Sequence, residues 1–229
     1  MNSFVLKIIA CVCMFCDHFG DAVFGSTTFL NFIGRLSFPI FCFQIVQGYI
    51  HTHNVKKYIT RLGIFALISQ ITFMLFYHAV FNEFAVNVIF TLLFGLLAIL
   101  IYDKFNKFVG ICSSLLLATI AQFFHFDYGF FGVFIIFIFY LLHNKKIAMS
   151  IVFVISVIVK YLIPIIQNGI PILYTFFGTK YSMVMYFTCF AIIPILFYNG
   201  QKGKDAKYLF YIFYPVHLLI LSIISNLMK

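Results

Sequence analysis

Tryptophan is absent from this chain, and acidic residues nearly so: 6 Asp and Glu in 229 residues. Without Trp, Tyr must supply the amphipathic rings that settle at a bilayer–water interface. Charged residues make up 9% of the chain, where a soluble domain carries about a quarter, so a water-soluble fold is excluded. No cleavage site of small residues follows the first hydrophobic run, which therefore reads as a retained helix and not a leader peptide. The chain also lacks a Walker loop and a dinucleotide fingerprint. Any nucleotide-bearing cofactor must be held by basic side chains and helix ends. Cysteine is present but unpatterned. Cys11, Cys13, Cys16, Cys42, Cys112 and Cys189 all lie in hydrophobic runs. On a helix Cys11 and Cys13 point to different faces, so they read as packing residues with neither a disulfide framework nor a metal site.

What fills the chain is apolar surface: 64% hydrophobic residues, mean hydropathy +1.08, and 34 phenylalanines. With about 20 apolar residues per crossing, nine spans can be drawn. They lie near 3–24, 31–51, 58–77, 86–102, 108–124, 128–142, 147–166, 171–198 and 208–226. The expected fold is an all-α polytopic transmembrane helix bundle of about nine spans, forming a single domain over 1–229. The eighth segment is too long for one straight crossing, and Pro171, Gly178, Lys180 and Pro194 mark a broken or re-entrant stretch near 168–182, or a strongly tilted helix.

The net charge of +9 is distributed in short connections as Lys56–Lys57–Arg61, Lys104–Lys107, Lys145–Lys146 and Lys202–Lys204–Lys207. Nucleic-acid binding would gather that charge on one face; spread over alternate loops it is the positive-inside pattern. It places the N-terminus in the cytoplasm and the C-terminus outside, and membrane lipid is the expected surrounding. The expected location is the bacterial cytoplasmic membrane.

Polar residues inside the spans then acquire depths. Asp17 and His18 lie roughly 10 Å below the outer end of the first span, from the helical rise per residue. Arg35 enters the second span from the same side. Asn87 and Thr91 open the fourth, Asp127–Tyr128–Gly129 opens the sixth, and Gln70 and His217 fall nearer the middle. A charge at such a depth is costly unless paired or hydrated, so these positions are candidates for chemistry. Asp17 pairs naturally with Arg35, because neighbours on a helix diverge by about 100° and Asp17 does not simply bond His18. Asp127 is then a candidate to orient the His18 ring. A structural Asp–Arg pair and a core His217 bonded to a carbonyl freed by Pro215 explain the same residues without function.

The ordered set Leu6-Lys7-Ile-Ile-Ala10, Asp17-His18-Phe19-Gly20 and Ile33-Gly34-Arg35-Leu36-Ser37-Phe38-Pro39-Ile40-Phe41 resembles the TraX family. Lys57-Tyr58, Arg61-Leu62, Ile68-Ser69-Gln70, Asn87-Val88-Ile89-Phe90-Thr91, Asp127-Tyr128-Gly129 and Phe213-Tyr214-Pro215-Val216-His217-Leu218 continue the likeness in order. The family is known for N-acetylating pilin subunits. The resemblance therefore implies a membrane acyltransferase using acetyl-CoA, with a peptide, pilin or glycan acceptor and no metal. His18 would be the general base, with Asp17 or Asp127 orienting it. Arg35 and Asn87 would steady the oxyanion, and Gln70, Tyr128, Tyr214 and His217 would line the cleft. A small proton-coupled transporter or permease is the competing class, since it too places ionisable groups in broken helices. A non-catalytic membrane scaffold accounts for the helices but leaves these polar groups without a role.

The charge pattern predicts the result of topology mapping. Reporters fused behind residues 103 and 144 should report the cytoplasm, and fusions behind 83 and 126 the opposite face. The inverse pattern would reverse the orientation.

Overall fold

A computed structural model describes residues 1–25, 28–167, 184, 186–204 and 207–228. The broken stretch expected near 168–182 lies outside the described residues. Those described are helical, and no strand occurs among them. In chain order they form α1 (Ser3–Phe24), α2 (Phe29–Gly34), α3 (Ser37–His51), α4 (Val55–Phe81), α5 (Val88–Lys104), α6 (Lys107–Phe123), α7 (Gly129–Leu141) and α8 (Lys146–Gln167). A 3₁₀ turn (Phe187–Ala191) then runs into α9 (Ile192–Leu196), and α10 (Lys207–Leu227) follows. Four stretches are long and apolar enough to cross a membrane: Ser3–Phe24, Phe29–His51, Val55–Phe81 and Tyr208–Leu227.

Asparagine starts the helices. Asn2, Asn54, Asn87 and Asn106 each accept a hydrogen bond from a backbone N–H one turn on, at 2.9–3.0 Å. Each thereby satisfies a donor that the first helical turn leaves open, without importing charge into the membrane. The second span is interrupted at Arg35 and Leu36, between α2 and α3. Pro39 explains the break, because it has no N–H to return to the carbonyl of Arg35. The turn sets the guanidinium between two helices.

The chain packs as two compact units. The first comprises residues 1–40 and 144–206. One end of it is tied by Ser3 N donating to Gln201 O at 2.8 Å, Asn199 N to Met1 O at 2.9 Å, and Lys146 Nζ to Tyr198 O at 2.8 Å. The starts of α1 and α8 and the chain after α9 thus share one end, as alternate crossings require.

The second unit comprises 41–143 and 207–229. At one of its ends the hydroxyls of Tyr49 and Tyr140 both donate to the Asp103 carboxylate, tying together the final turns of α3, α5 and α7. At the other end Asp127 N donates to Val86 O at 2.9 Å, joining the loops that open α5 and α7. Phe65 packs on Tyr211 and Tyr214, and Ser225 Oγ donates to Ala79 O. Contacts that advance in the same direction along both helices make α4 and α10 parallel.

Close approach in this unit depends on small residues. A Cβ at Gly95 of α5 would stand 2.4–2.8 Å from three atoms of Ile136 on α7, including that residue's stiff Cβ. Beside it Ala98, Ala118, Ala121, Val133 and Phe137 form a closed apolar core. Gly95→Ala should therefore cost about 1–3 kcal/mol through overpacking. Gly63→Ala, whose Cβ would meet only Leu93 Cδ2 at 3.8 Å, should be neutral or stabilising through helix propensity. Thermal unfolding of the two variants in detergent checks the contrast, and equal losses would refute it.

Candidate functional site

In the first unit the polar residues converge on Asp17. Arg35 donates from a terminal nitrogen to Asp17 Oδ1 at 2.8 Å, with both side chains largely buried. Asn31, on α2, donates from Nδ2 to the same Oδ1 at 3.0 Å and to Asp21 Oδ1 at 2.8 Å. Its own Oδ1 accepts from the backbone and hydroxyl of Thr28, at 2.8 and 3.0 Å. One amide thus caps α2 and grips two carboxylates four residues apart on α1.

This geometry is permitted by glycine. A Cβ at Gly34 would fall 2.3–2.6 Å from the Asp17 side chain, and one at Gly20 would sit 2.9 Å from Thr28 Oγ1. The two glycines let α1 and α2 approach closely enough for the side chains to bond. Ser37 Oγ donates to Ala10 O at 2.9 Å and holds the start of α3 to α1 about two turns below Asp17. His18, next to Asp17 and partly buried, lies within electrostatic reach of Arg35. The expected Asp17–Arg35 pair is present. Asn31 and Asp21 complete it and were not anticipated; the signal was there in Asp17/Asp21 spacing and in Asn31 lying one turn before Arg35.

In the second unit Asn87 is fully engaged. Its Nδ2 donates to Ala66 O at 2.9 Å and Gln70 Oε1 at 2.7 Å, and its Oδ1 caps α5. Gln70 also accepts from Asn87 N at 2.9 Å and donates to Ala85 O at 2.9 Å. Both hydrogens of the Asn87 amide are committed to the protein, so it has none to offer an oxyanion. The pair fastens α4 to α5, which gives Asn87 a positioning role.

Asp127 and Tyr128 lie in the turn that opens α7. Thr91 Oγ1 donates to the Asp127 carbonyl, and Tyr128 takes a left-handed conformation at φ 62°. Gly129 follows at φ 40°, with Gln122 Oε1 2.5 Å from where a Cβ would be. Tyr214 and His217, on α10, are each 4% exposed. The Tyr214 hydroxyl lies within electrostatic reach of Asp127. His217 Nδ1 sits 2.8 Å from Phe213 O. A carbonyl can only accept, so Nδ1 carries a proton. The carbonyl is that of Phe213, one turn back, and not the Tyr211 carbonyl that Pro215 frees. His51 and His143 bond carbonyls at helix ends in the same manner.

Among the described residues no cluster of three His, Cys, Asp or Glu is placed to hold a metal ion. Two further buried groups, Ser69 Oγ and Arg61 Nε, join the Tyr214 hydroxyl in having no hydrogen-bond partner.

Long apolar helices with a paired carboxylate and guanidinium between them define a membrane protein with a polar interior. The chain belongs to the TraX family: the model of the TraX protein matches residues 3–225. It is similar to the "Probable fimbrial assembly protein FimC, serogroup H1" of Dichelobacter nodosus, with 28% identity over 238 residues. That alignment covers 96% of this chain and 94% of the relative. No solved structure matches.

The clamp on Asp17 makes a quantitative prediction. Asp17→Ala and Arg35→Ala should each cost about 3 kcal/mol, because each strands a charge in a low-dielectric site. The double replacement should cost less than the sum of the two by at least about 1 kcal/mol. Unfolding equilibria in mixed detergent measure the cycle, and strict additivity would show that the pair is not coupled.

Proposed function

We propose that this protein is an integral-membrane acyltransferase of the bacterial cytoplasmic membrane. It moves an acetyl group from cytoplasmic acetyl-CoA to an amine or hydroxyl of a pilin, peptide or glycan presented in the outer half of the bilayer. The carrying observation is the Asp17 carboxylate, buried in α1 and held by Arg35 and Asn31 directly beside His18. Family membership and a relative named for fimbrial assembly favour a pilin-like acceptor.

In this reading His18 is the general base. It takes the proton from the acceptor nitrogen or oxygen as that atom attacks the thioester carbonyl. The tetrahedral intermediate collapses, the C–S bond breaks, and the imidazolium returns its proton to the departing thiolate. Asp17 does not accept that proton. With Arg35 and Asn31 both donating to Oδ1, it stays a carboxylate and supplies a fixed negative charge near the imidazolium that forms. Arg35, anchored by the same bond, would lend its fixed positive charge to the oxyanion.

Purified protein incubated with radiolabelled acetyl-CoA should hydrolyse it slowly, or transfer acetyl to itself or to an added pilin-like amine. His18→Ala should lower that rate at least a hundredfold with folding unchanged. Full activity in His18→Ala would remove the histidine from the mechanism. No turnover in the wild-type protein, together with solute-driven proton flux in vesicles, would make it a transporter.

A further inference from the structure

Ser69, Tyr214 and Arg61 each bury a side-chain polar atom that bonds nothing. Ser69 is 0% exposed, yet its hydroxyl bonds nothing, not even the carbonyl one turn back that serine hydroxyls on helices usually reach. The Tyr214 hydroxyl is buried and without a partner. Arg61 Nε is equally buried and has no acceptor, and Arg61 has no carboxylate partner among the described residues. Buried polar atoms are nearly always satisfied, so three on one pair of helices call for an explanation.

The three lie along one line. Arg61, Phe65 and Ser69 recur every fourth residue and so share one face of α4; Tyr211 and Tyr214 are on α10 opposite, packed on Phe65 at 4.7 and 6.1 Å between ring centroids. The Arg61 guanidinium is framed by the rings of Tyr58 and Tyr211, at 5.6 and 5.7 Å. Arg61 lies roughly 9 Å along α4 from Val55, at the end carrying Lys56 and Lys57, and Ser69 is about 12 Å deeper. All three unpartnered groups have a hydrogen to give. The missing ligand is therefore rich in acceptors, anionic at the lysine-bearing end, and extends as a narrow chain toward the middle of the helices.

We propose that the seam between α4 and α10 opens to bind the acyl donor, with Arg61 holding a phosphate of coenzyme A and Ser69 and Tyr214 donating to carbonyls of its amide-bearing arm. The assignment rests on the acyltransferase reading above and adds to it the site of the donor. Entry has a physical route. Pro215 lacks the N–H that would bond the Tyr211 carbonyl, so α10 bends most easily between the two tyrosines that flank Phe65. Tilting the Lys207 end of α10 away from α4 uncovers Arg61 at the lysine-bearing end. A lipid phosphate offers the same chemistry to Arg61 but has no hydrogen-bonding arm for the two deeper hydroxyls.

The test is equilibrium binding of coenzyme A and of pantetheine, which lacks the phosphates, to the full-length protein in nonionic detergent. Arg61→Ala should weaken coenzyme A at least tenfold and leave pantetheine within twofold. Tyr214→Phe and Ser69→Ala should each weaken both ligands about three- to tenfold, with melting temperatures unchanged or raised. Unaltered coenzyme A affinity in all three variants, in a protein that still transfers acetyl groups, overturns the seam as the donor site and leaves the acyltransferase reading standing. Failure of the wild-type protein to bind coenzyme A overturns both. If phosphatidylglycerol vesicles bind through Arg61 while coenzyme A binding ignores it, the phosphate is the lipid's and the proposal is wrong.

Discussion

The bond between Arg35 and Asp17 is the constraint from which the first unit follows. A lone carboxylate or guanidinium in a bilayer costs several kcal/mol, and an isolated α1 could not hold Asp17 ionised at that depth. The pair becomes tolerable only when α2 lies against α1, Gly34 allows the approach, and Asn31 satisfies lone pairs that Arg35 does not reach. Pro39 is part of the same device. By ending one helical ladder and starting another it turns the chain at Arg35, so that the guanidinium emerges from a turn beside Asp17. Charge, glycine and proline here solve one problem together, and none of them has an obvious purpose alone.

The second unit handles polarity differently. Among its described residues there is no ion pair of that kind; amides and hydroxyls join its helices instead. Gln70 and Asn87 close a ring of hydrogen bonds between α4 and α5, Thr91 reaches the Asp127 carbonyl, and two tyrosines converge on Asp103. Each of these ties sits near a helix end, where backbone groups are already unsatisfied and a polar side chain serves two purposes at once. Toward the middle of these helices contacts are mostly apolar and depend on small residues such as Gly95 and Ala98.

Much of this was legible in the sequence because the bilayer imposes simple rules. Hydrophobic length placed α1, α4 and α10 to within a few residues, and the scarcity of acids made Asp17 conspicuous enough for its pairing with Arg35 to be read directly. What escaped were the neutral polar residues. Asn31 and Asn87 look alike in a sequence, each a single amide at the start of an apolar run, yet one grips two carboxylates and the other fastens two helices. An amide has no charge whose cost announces its partner, so its role depends on which helix lies opposite, and periodicity does not give that. Arg61 was conspicuous as a charge beside Lys56 and Lys57, but its missing bond and that of Ser69 were hidden for a similar reason. Their significance lies in missing bonds, which a sequence cannot display.

That absence is local. Gln70, the residue after Ser69, has its side-chain oxygen and amide bonded across to α5, and Ser225 farther along α10 bonds the Ala79 carbonyl of α4. Loose packing would leave polar atoms unmatched without regard to face. On α4 the unmatched side-chain atoms, Arg61 Nε and Ser69 Oγ, lie on the face that meets α10, while the next residue on a different face is satisfied. A protein that commits every polar atom of Asn87 to its own structure has the means to satisfy a serine as well. Leaving that one line of donors open costs stability that the fold could have kept, and such a cost is retained where a ligand restores it.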